Sequence, residues 1–260
     1  MKKCRKGFTI IEVVLFLALS GFLIGGIILS TNISISRQRY NDSVNDFAEF
    51  LRKVYSNVYN VSNNSENAGR SGQAIYGKLI VIGEDAKKGG TVYSYSVVGK
   101  AAKSSELNGT NIISMLKNDL HANVIKENAS GGVEPYEREE YTIPWEALIQ
   151  QTDSSKQFKG LILVVRSPVS GTIHTYSYIN PPDNLMDYKN KLETGSNASA
   201  TNLFSNLLND SNLTEKEINM CIQSEDNNWG KRRNVRIADR ASNSSGVELI
   251  SLDSNDNKCK

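Results

Sequence analysis

A single carboxylate, Glu12, stands at the head of an apolar run that admits few folds. From Val13 to Leu29 the chain reads VVLFLALSGFLIGGIIL, seventeen residues without a charge and with only Ser20 polar, and the apolar character begins at Phe8. At about 1.5 Å per residue the run makes roughly 25 Å of helix, and with Phe8 to Val13 added it approaches the ~30 Å hydrocarbon core of a bilayer. A secretory signal peptide would be shorter and would end in a small-x-small cleavage site, whereas Ser30-Thr31-Asn32-Ile33-Ser34 offers no such pattern. The segment is therefore expected to stay in the mature protein as a membrane helix. A carboxylate inside a spanning helix costs on the order of 3 kcal/mol. Glu12 thus either has a partner or sits near enough to the helix start for the interface and the helix dipole to ease its burden. Position alone admits both readings.

Gly7-Phe8-Thr9-Ile10-Ile11-Glu12, after a leader with Lys2, Lys3, Arg5 and Lys6, resembles the class III signal of type IV pilins and type II secretion pseudopilins. The resemblance implies cleavage after Gly7 by a prepilin peptidase, N-methylation of the new amino terminus at Phe8, and an assembly role for Glu12. In that family the acid lies close to the amino-terminal ammonium of a neighbouring subunit, and a buried charge becomes tolerable when paired. The implied partners are the peptidase, other pilin subunits and an inner-membrane assembly platform. The implied location is the cytoplasmic membrane, single-pass with the N-terminus inside, before assembly. After assembly it is a cell-surface filament or a periplasmic pseudopilus. The leader charges agree with that orientation by the positive-inside rule.

Four of the 30 basic residues lie in the leader, so beyond Gly7 there are 26 basic against 28 acidic side chains. No global basicity points to nucleic acid. Of Cys4, Cys221 and Cys259 the first would leave with the leader, and two cysteines in an oxidising compartment read as a Cys221–Cys259 disulfide, with two free buried thiols as the alternative.

The helix is expected to continue past the membrane. Tyr40, Val44, Phe47, Leu51, Val54 and Val58 form an amphipathic stripe flanked by Asp42, Asp46, Glu49, Arg52 and Lys53, so a helix from about Phe8 to Val61 must pack on something. Gly21-x-x-x-Gly25 is a small-xxx-small pair in its membrane half. Strands are expected at 74–82 and 91–98, paired through the 87–90 turn, with a short helix around Ile112, Ile113, Leu116 and Leu120. Asn123 to Lys126 reads as a strand, Glu137-Arg138-Glu139-Glu140 as a loop, and Tyr141 to Trp145 as an edge strand because of Pro144. The 160–166 and 172–179 segments form a hairpin, with His174 at a surface or edge. Leu203, Phe204, Leu207 and Leu208 mark a small helix, and Thr214-Glu215-Lys216-Glu217 reads as a capping box leading into Ile218, Cys221 and Ile222. The last strands fall at 235–238 and 246–252.

The expected fold is α+β: a leader (1–7), a membrane and assembly half-helix (8–30), an amphipathic half-helix (31–62), and a mainly antiparallel β ectodomain (63–260) with a helical insertion at about 186–224. The order resembles the H-type minor pilins and pseudopilins (the GspH/FimT family), and implies a structural subunit of a type IV pilus or related secretion filament. Trp229-Gly230-Lys231-Arg232-Arg233-Asn234-Val235-Arg236-Ile237-Ala238-Asp239-Arg240 adds a local basic cluster. Lys231, Arg232, Arg233, Arg236 and Arg240 could hold phosphates beside a stacking aromatic, and Gly230-Lys231-Arg232-Arg233 is similar to the Gly-Arg-x-Arg motif of DNA-binding uptake pilins, with Lys231 in place of an arginine. The other reading is a solvated edge strand whose charges deter pairing. A tip subunit that binds DNA or a host surface is the alternative function. Asp253 to Asn257 is oxygen-rich like a calcium loop but lacks the Gly and distal Glu such a loop needs, and reads as a polar tail. The chain has no Gly-x-Ser-x-Gly, His-Glu-x-x-His or phosphate-binding glycine loop, so no enzyme, cofactor or metal is expected.

Overall fold

The computed structural model describes residues 9–61, 72–83, 90–127, 132–145, 147–152, 156–186, 188, 197–224, 232–250 and 258–259. In chain order these form α1 (Ile10–Tyr59), β1 (Gln73–Ile82), β2 (Thr91–Lys100) and α2 (Ile112–Ser114), which a π-helical turn continues over Met115–Asp119. Then come β3 (Ile125–Glu127), β4 (Val133–Pro135), β5 (Arg138–Thr142), β6 (Leu148–Gln150), β7 (Gly160–Arg166) and β8 (Ile173–Ile179). The last elements are α3 (Asp183–Met186), α4 (Asn197–Asn209), β9 (Ile218–Gln223), β10 (Arg233–Ile237) and β11 (Val247–Ile250). The class is α+β with antiparallel sheets.

The chain divides into two units between Asp42 and Ser43. The first is helical from Ile10 onward. Its Ile10–Ile28 stretch is long and apolar enough to cross a membrane, and none of it is buried. Just beyond it, Thr31 turns its hydroxyl back onto the carbonyls of Ile27 and Ile28 at 3.0 and 2.9 Å, which satisfies a polar group without leaving the helix.

The second unit is built on a five-stranded sheet in the order β5-β2-β1-β7-β8. Its centre is β1, where Leu79 faces Tyr95 on one side and Leu163 on the other. Gly77 follows an irregularity in the β1 register and leaves no room for a side chain beside β7: an added Cβ would lie 2.1 Å from the Val164 carbonyl oxygen. Side chains alternate across the sheet. Leu79, Val81, Tyr93, Tyr95, Leu161 and Leu163 share a core with Leu116, Leu120, Tyr188, Phe204 and Leu207 from the helical segments. The opposite face takes α1, whose Val44, Phe47, Leu51, Val54 and Val58 are all buried. Phe50 stacks on Tyr141 of β5 with ring centroids 4.4 Å apart. At the other end of the sheet the Tyr55 hydroxyl meets Thr175 Oγ1 of β8 at 2.8 Å. Each fully buried aliphatic side chain of this stripe stabilises by about 1.5–3 kcal/mol.

A second sheet has the order β11-β10-β9-β6, and β3 pairs with β4. The outer edge of β11 is covered where the Arg52 guanidinium of α1 donates twice to the Val247 carbonyl, at 3.0 and 3.2 Å. Thr175 Oγ1 donates to the Ala241 carbonyl at 2.6 Å, so one hydroxyl joins helix, first sheet and the turn after β10.

The expected hairpins 74–82/91–98 and 160–166/172–179 are present as β1–β2 and β7–β8, although Lys87 to Gly89 lie outside the described residues. His174 lies on β8, at an end of its sheet and half-exposed. Three expectations need correction. Arg138 to Glu140 belong to strand β5, because Glu139 pairs with Ser94 in register and its carboxylate is held by Lys53 at 2.7 Å; Pro144 follows the strand and does not lie in it. Thr214-Glu215-Lys216-Glu217 caps no helix: Thr214 exchanges backbone hydrogen bonds with Ser177, and Ile218, Met220 and Ile222 then alternate inward along β9. The basic segment is not an edge, since β10 is paired on both sides.

Candidate functional site

At the N-terminal end of α1 the sequence Thr9-x-x-Glu12 closes on itself. Thr9 N and Thr9 Oγ1 donate to Glu12 Oε2 at 2.9 and 3.0 Å, and Glu12 N donates to Thr9 Oγ1 at 3.3 Å. This is a reciprocal capping box. It starts the helix at the edge of the apolar run and gives half of the carboxylate local partners, while Oε1 takes no hydrogen bond among the described residues. Gly7 and Phe8 lie outside the described residues. The box gives physical content to the helix-start reading of Glu12, and the Thr-x-x-Glu spacing is its sign in the sequence.

The described arginines of the basic segment have separate partners. Lys231 and Trp229 lie outside the described residues. Arg232 donates to Gln150 Oε1, the Gln151 carbonyl and the Thr152 carbonyl at 3.3–3.4 Å. Arg236 binds Glu248 Oε2, its cross-strand partner, through Nε at 3.0 Å and also through Nη2, and lies 3.7 Å from Glu217. Arg240 is 3.6 Å from Glu215. Arg233 and Arg236, three apart on β10, fall on opposite faces of the sheet. Arg236 and Arg240 are thus matched to carboxylates, and Arg232 is spent on the end of β6.

Cys221 and Cys259 form a disulfide, which ties the C-terminal end to the interior strand β9. Beside it, Lys258 Nζ donates to Glu217 Oε1 at 2.6 Å and Asn219 Nδ2 donates to the same oxygen at 2.7 Å; the two hold the Glu217 carboxyl below its ordinary range. Asp253 to Asn257, the calcium-like stretch, lie outside the described residues.

One buried cation was not anticipated. Lys78 of β1 is almost fully covered, with Nζ 2.7 Å from Glu137 Oε2, and Ser96 Oγ donates to the same oxygen at 2.5 Å. Lys78 first, then Ser96, push the Glu137 carboxyl down. With Asn57, Asn60 and Val61 these groups line a cavity of about 320 Å³. A lysine inside a Val/Ile-rich strand gives no sequence sign of its depth; only the tolerance of the sheet for a paired charge explains it.

No protein-family model matches the chain, and neither does any curated protein or solved structure.

Proposed function

We propose that the chain is a structural subunit, of the minor-pilin kind, of a type IV pilus or related type II secretion filament. Prepilin peptidase would cut between Gly7 and Phe8 and methylate Phe8, and the subunit would assemble through α1. The observation that carries the reading is Gly7-Phe8-Thr9-Ile10-Ile11-Glu12 leading into a helix whose first nineteen residues, Ile10–Ile28, carry Glu12 as their one charge and bury nothing. Such a surface needs lipid or other helices around it. The amphipathic continuation of α1 packed on an antiparallel sheet supports the pilin-like assignment, and the capping box supports a Glu12 that is tolerable in the membrane with one oxygen open to a neighbour's ammonium. The carboxylates paired with Arg236 and Arg240 favour the building block over the DNA-binding alternative.

Glu12→Val tests the assembly role. The variant should insert in the membrane as the parent does and fail to enter filaments co-assembled with its partner subunits, as read by immunogold on sheared filaments. Normal incorporation would refute the role given to the acid.

A further inference from the structure

β8 and the segment before β9 hold a chain of polar side chains outside the machinery described so far. Ser170 Oγ lies 2.6 Å from Thr172 Oγ1, Thr172 Oγ1 lies 3.1 Å from His174 Nε2, and His174 Nδ1 lies 3.2 Å from Glu215 Oε1. The direction of the chain follows from what each group can donate. A carboxylate only accepts, so Nδ1 of a neutral His174 carries the hydrogen and Nε2 is the acceptor. Thr172 must then donate to Nε2, and Ser170 to Thr172. The imidazole is fixed from its other side as well: its ring stacks on Tyr176 at 6.4 Å, and Glu215 is steadied by Arg240 at 3.6 Å. Thr172 and Ser170 are solvent-exposed.

We propose that Thr172 is a nucleophilic hydroxyl, activated by His174 and Glu215 to accept an acyl group from an activated ester. Hydroxyl, imidazole and carboxylate in hydrogen-bond contact are the recognised arrangement for that chemistry, whatever fold carries them. As Thr172 Oγ1 bonds to the acyl carbon, its proton passes to His174 Nε2. The bond from the acyl carbon to the leaving alkoxide breaks, and the alkoxide takes the proton from His174. The surroundings hold the rate of this capture down. Val169 N and Ser170 N donate to Ser167 Oγ at 3.3 and 3.2 Å, Gly171 N to the Ser167 carbonyl at 2.9 Å, and Thr172 N to Ser170 Oγ at 3.3 Å. The turn's N–H groups are committed, so general-base help worth roughly 10²–10⁴-fold is available without the further 10²–10³ of an oxyanion hole. The site is therefore assigned as a slow acyl acceptor.

A fluorophosphonate probe tests this on the full chain in detergent micelles: the Oγ–P bond forms, the P–F bond breaks, and fluoride leaves as His174 takes the proton. The adduct should map by peptide mass spectrometry to Thr172 and form about 100-fold faster than in His174→Ala or in His174→Gln, which keeps the size and polarity of the side chain but cannot take the proton. Thr172→Val should abolish the adduct with an unchanged unfolding midpoint. An adduct on Ser170 or on a lysine or tyrosine, or equal rates in the parent and both His174 variants, would overturn the proposal.

Discussion

Thr175 on β8 offers a quantitative test of how α1 is fixed to the sheets. Its hydroxyl has one proton, and that proton is committed to the Ala241 carbonyl at 2.6 Å; the Tyr55 hydroxyl, 2.8 Å away, must therefore donate to Thr175. Both side chains are buried, and burial pushes the Tyr55 hydroxyl well above the ordinary tyrosine range, so it remains a donor. Thr175→Val keeps the shape and strands two groups, the Tyr55 hydroxyl and the Ala241 carbonyl. At about 1–3 kcal/mol for each buried group left unpaired, the loss is roughly 2–6 kcal/mol, or about 4–24 °C in Tm for a domain of this size. Tyr55→Phe in the parent removes one donor and leaves the Thr175–Ala241 bond intact, for a cost of about 1 kcal/mol. Added to Thr175→Val, Tyr55→Phe should be neutral or stabilising, because it deletes a stranded hydroxyl. Urea unfolding of the four chains in one detergent, followed by near-ultraviolet circular dichroism, reads the cycle. A Thr175→Val cost below about 0.5 kcal/mol, or an equal cost of Tyr55→Phe in both backgrounds, would refute the reasoning.

Three further outcomes follow from the geometry. Replacing Cys221 and Cys259 by serine removes the crosslink over a sequence separation of 38 and should lower unfolding stability by about 3–4 kcal/mol; reductant added to the parent in urea titrations should reproduce the change. Because Lys78 and Ser96 depress the Glu137 carboxyl, its contribution is complete above the unfolded value of about 4.3 and is lost as pH falls through the lower folded value. Glu137→Gln should therefore flatten the stability profile on the acid side of about pH 4.3, and parallel profiles would contradict this. Gly77→Ala places a Cβ 2.1 Å from the Val164 carbonyl oxygen and should cost more than about 2 kcal/mol by forcing β1 from β7, whereas Gly21→Ala, with nothing within 4 Å, should leave the unfolding midpoint of the second unit unchanged.

The long elements were legible because their periods are long. The 3.6-residue stripe from Val44 to Val58 and the β-branched runs of β1, β2, β7 and β8 announce their buried faces without reference to anything distant. Where a local pattern has a second cause, it misleads. Cys221 is buried to meet Cys259, and its place beside Ile218 and Ile222 counterfeits a helical spacing over the true alternation of Ile218, Met220 and Ile222. The charges of Arg138, Glu139 and Glu140 suggest a loop until Lys53, supplied by α1, is seen to meet Glu139. β6 is three residues long and exists through its pairing with β9, which no local propensity reports. The two sites differ in the same way. The Thr9–Glu12 box is a four-residue motif and readable, whereas the Thr172–His174–Glu215 relay joins residues at a sequence separation of 41.

If Gly7-Phe8 is a processing site and the helix behind it belongs to a filament, the leader must be cut at that bond and nowhere else. Co-expression of the full chain with a prepilin peptidase, followed by intact-mass and N-terminal peptide analysis, tests it most directly. The expected product is a mature chain beginning at a methylated Phe8, and an uncut chain when Gly7 is replaced by lysine. A parent chain that keeps Met1 to Gly7, or that is cut elsewhere, beside a control prepilin correctly processed in the same cells, would contradict it.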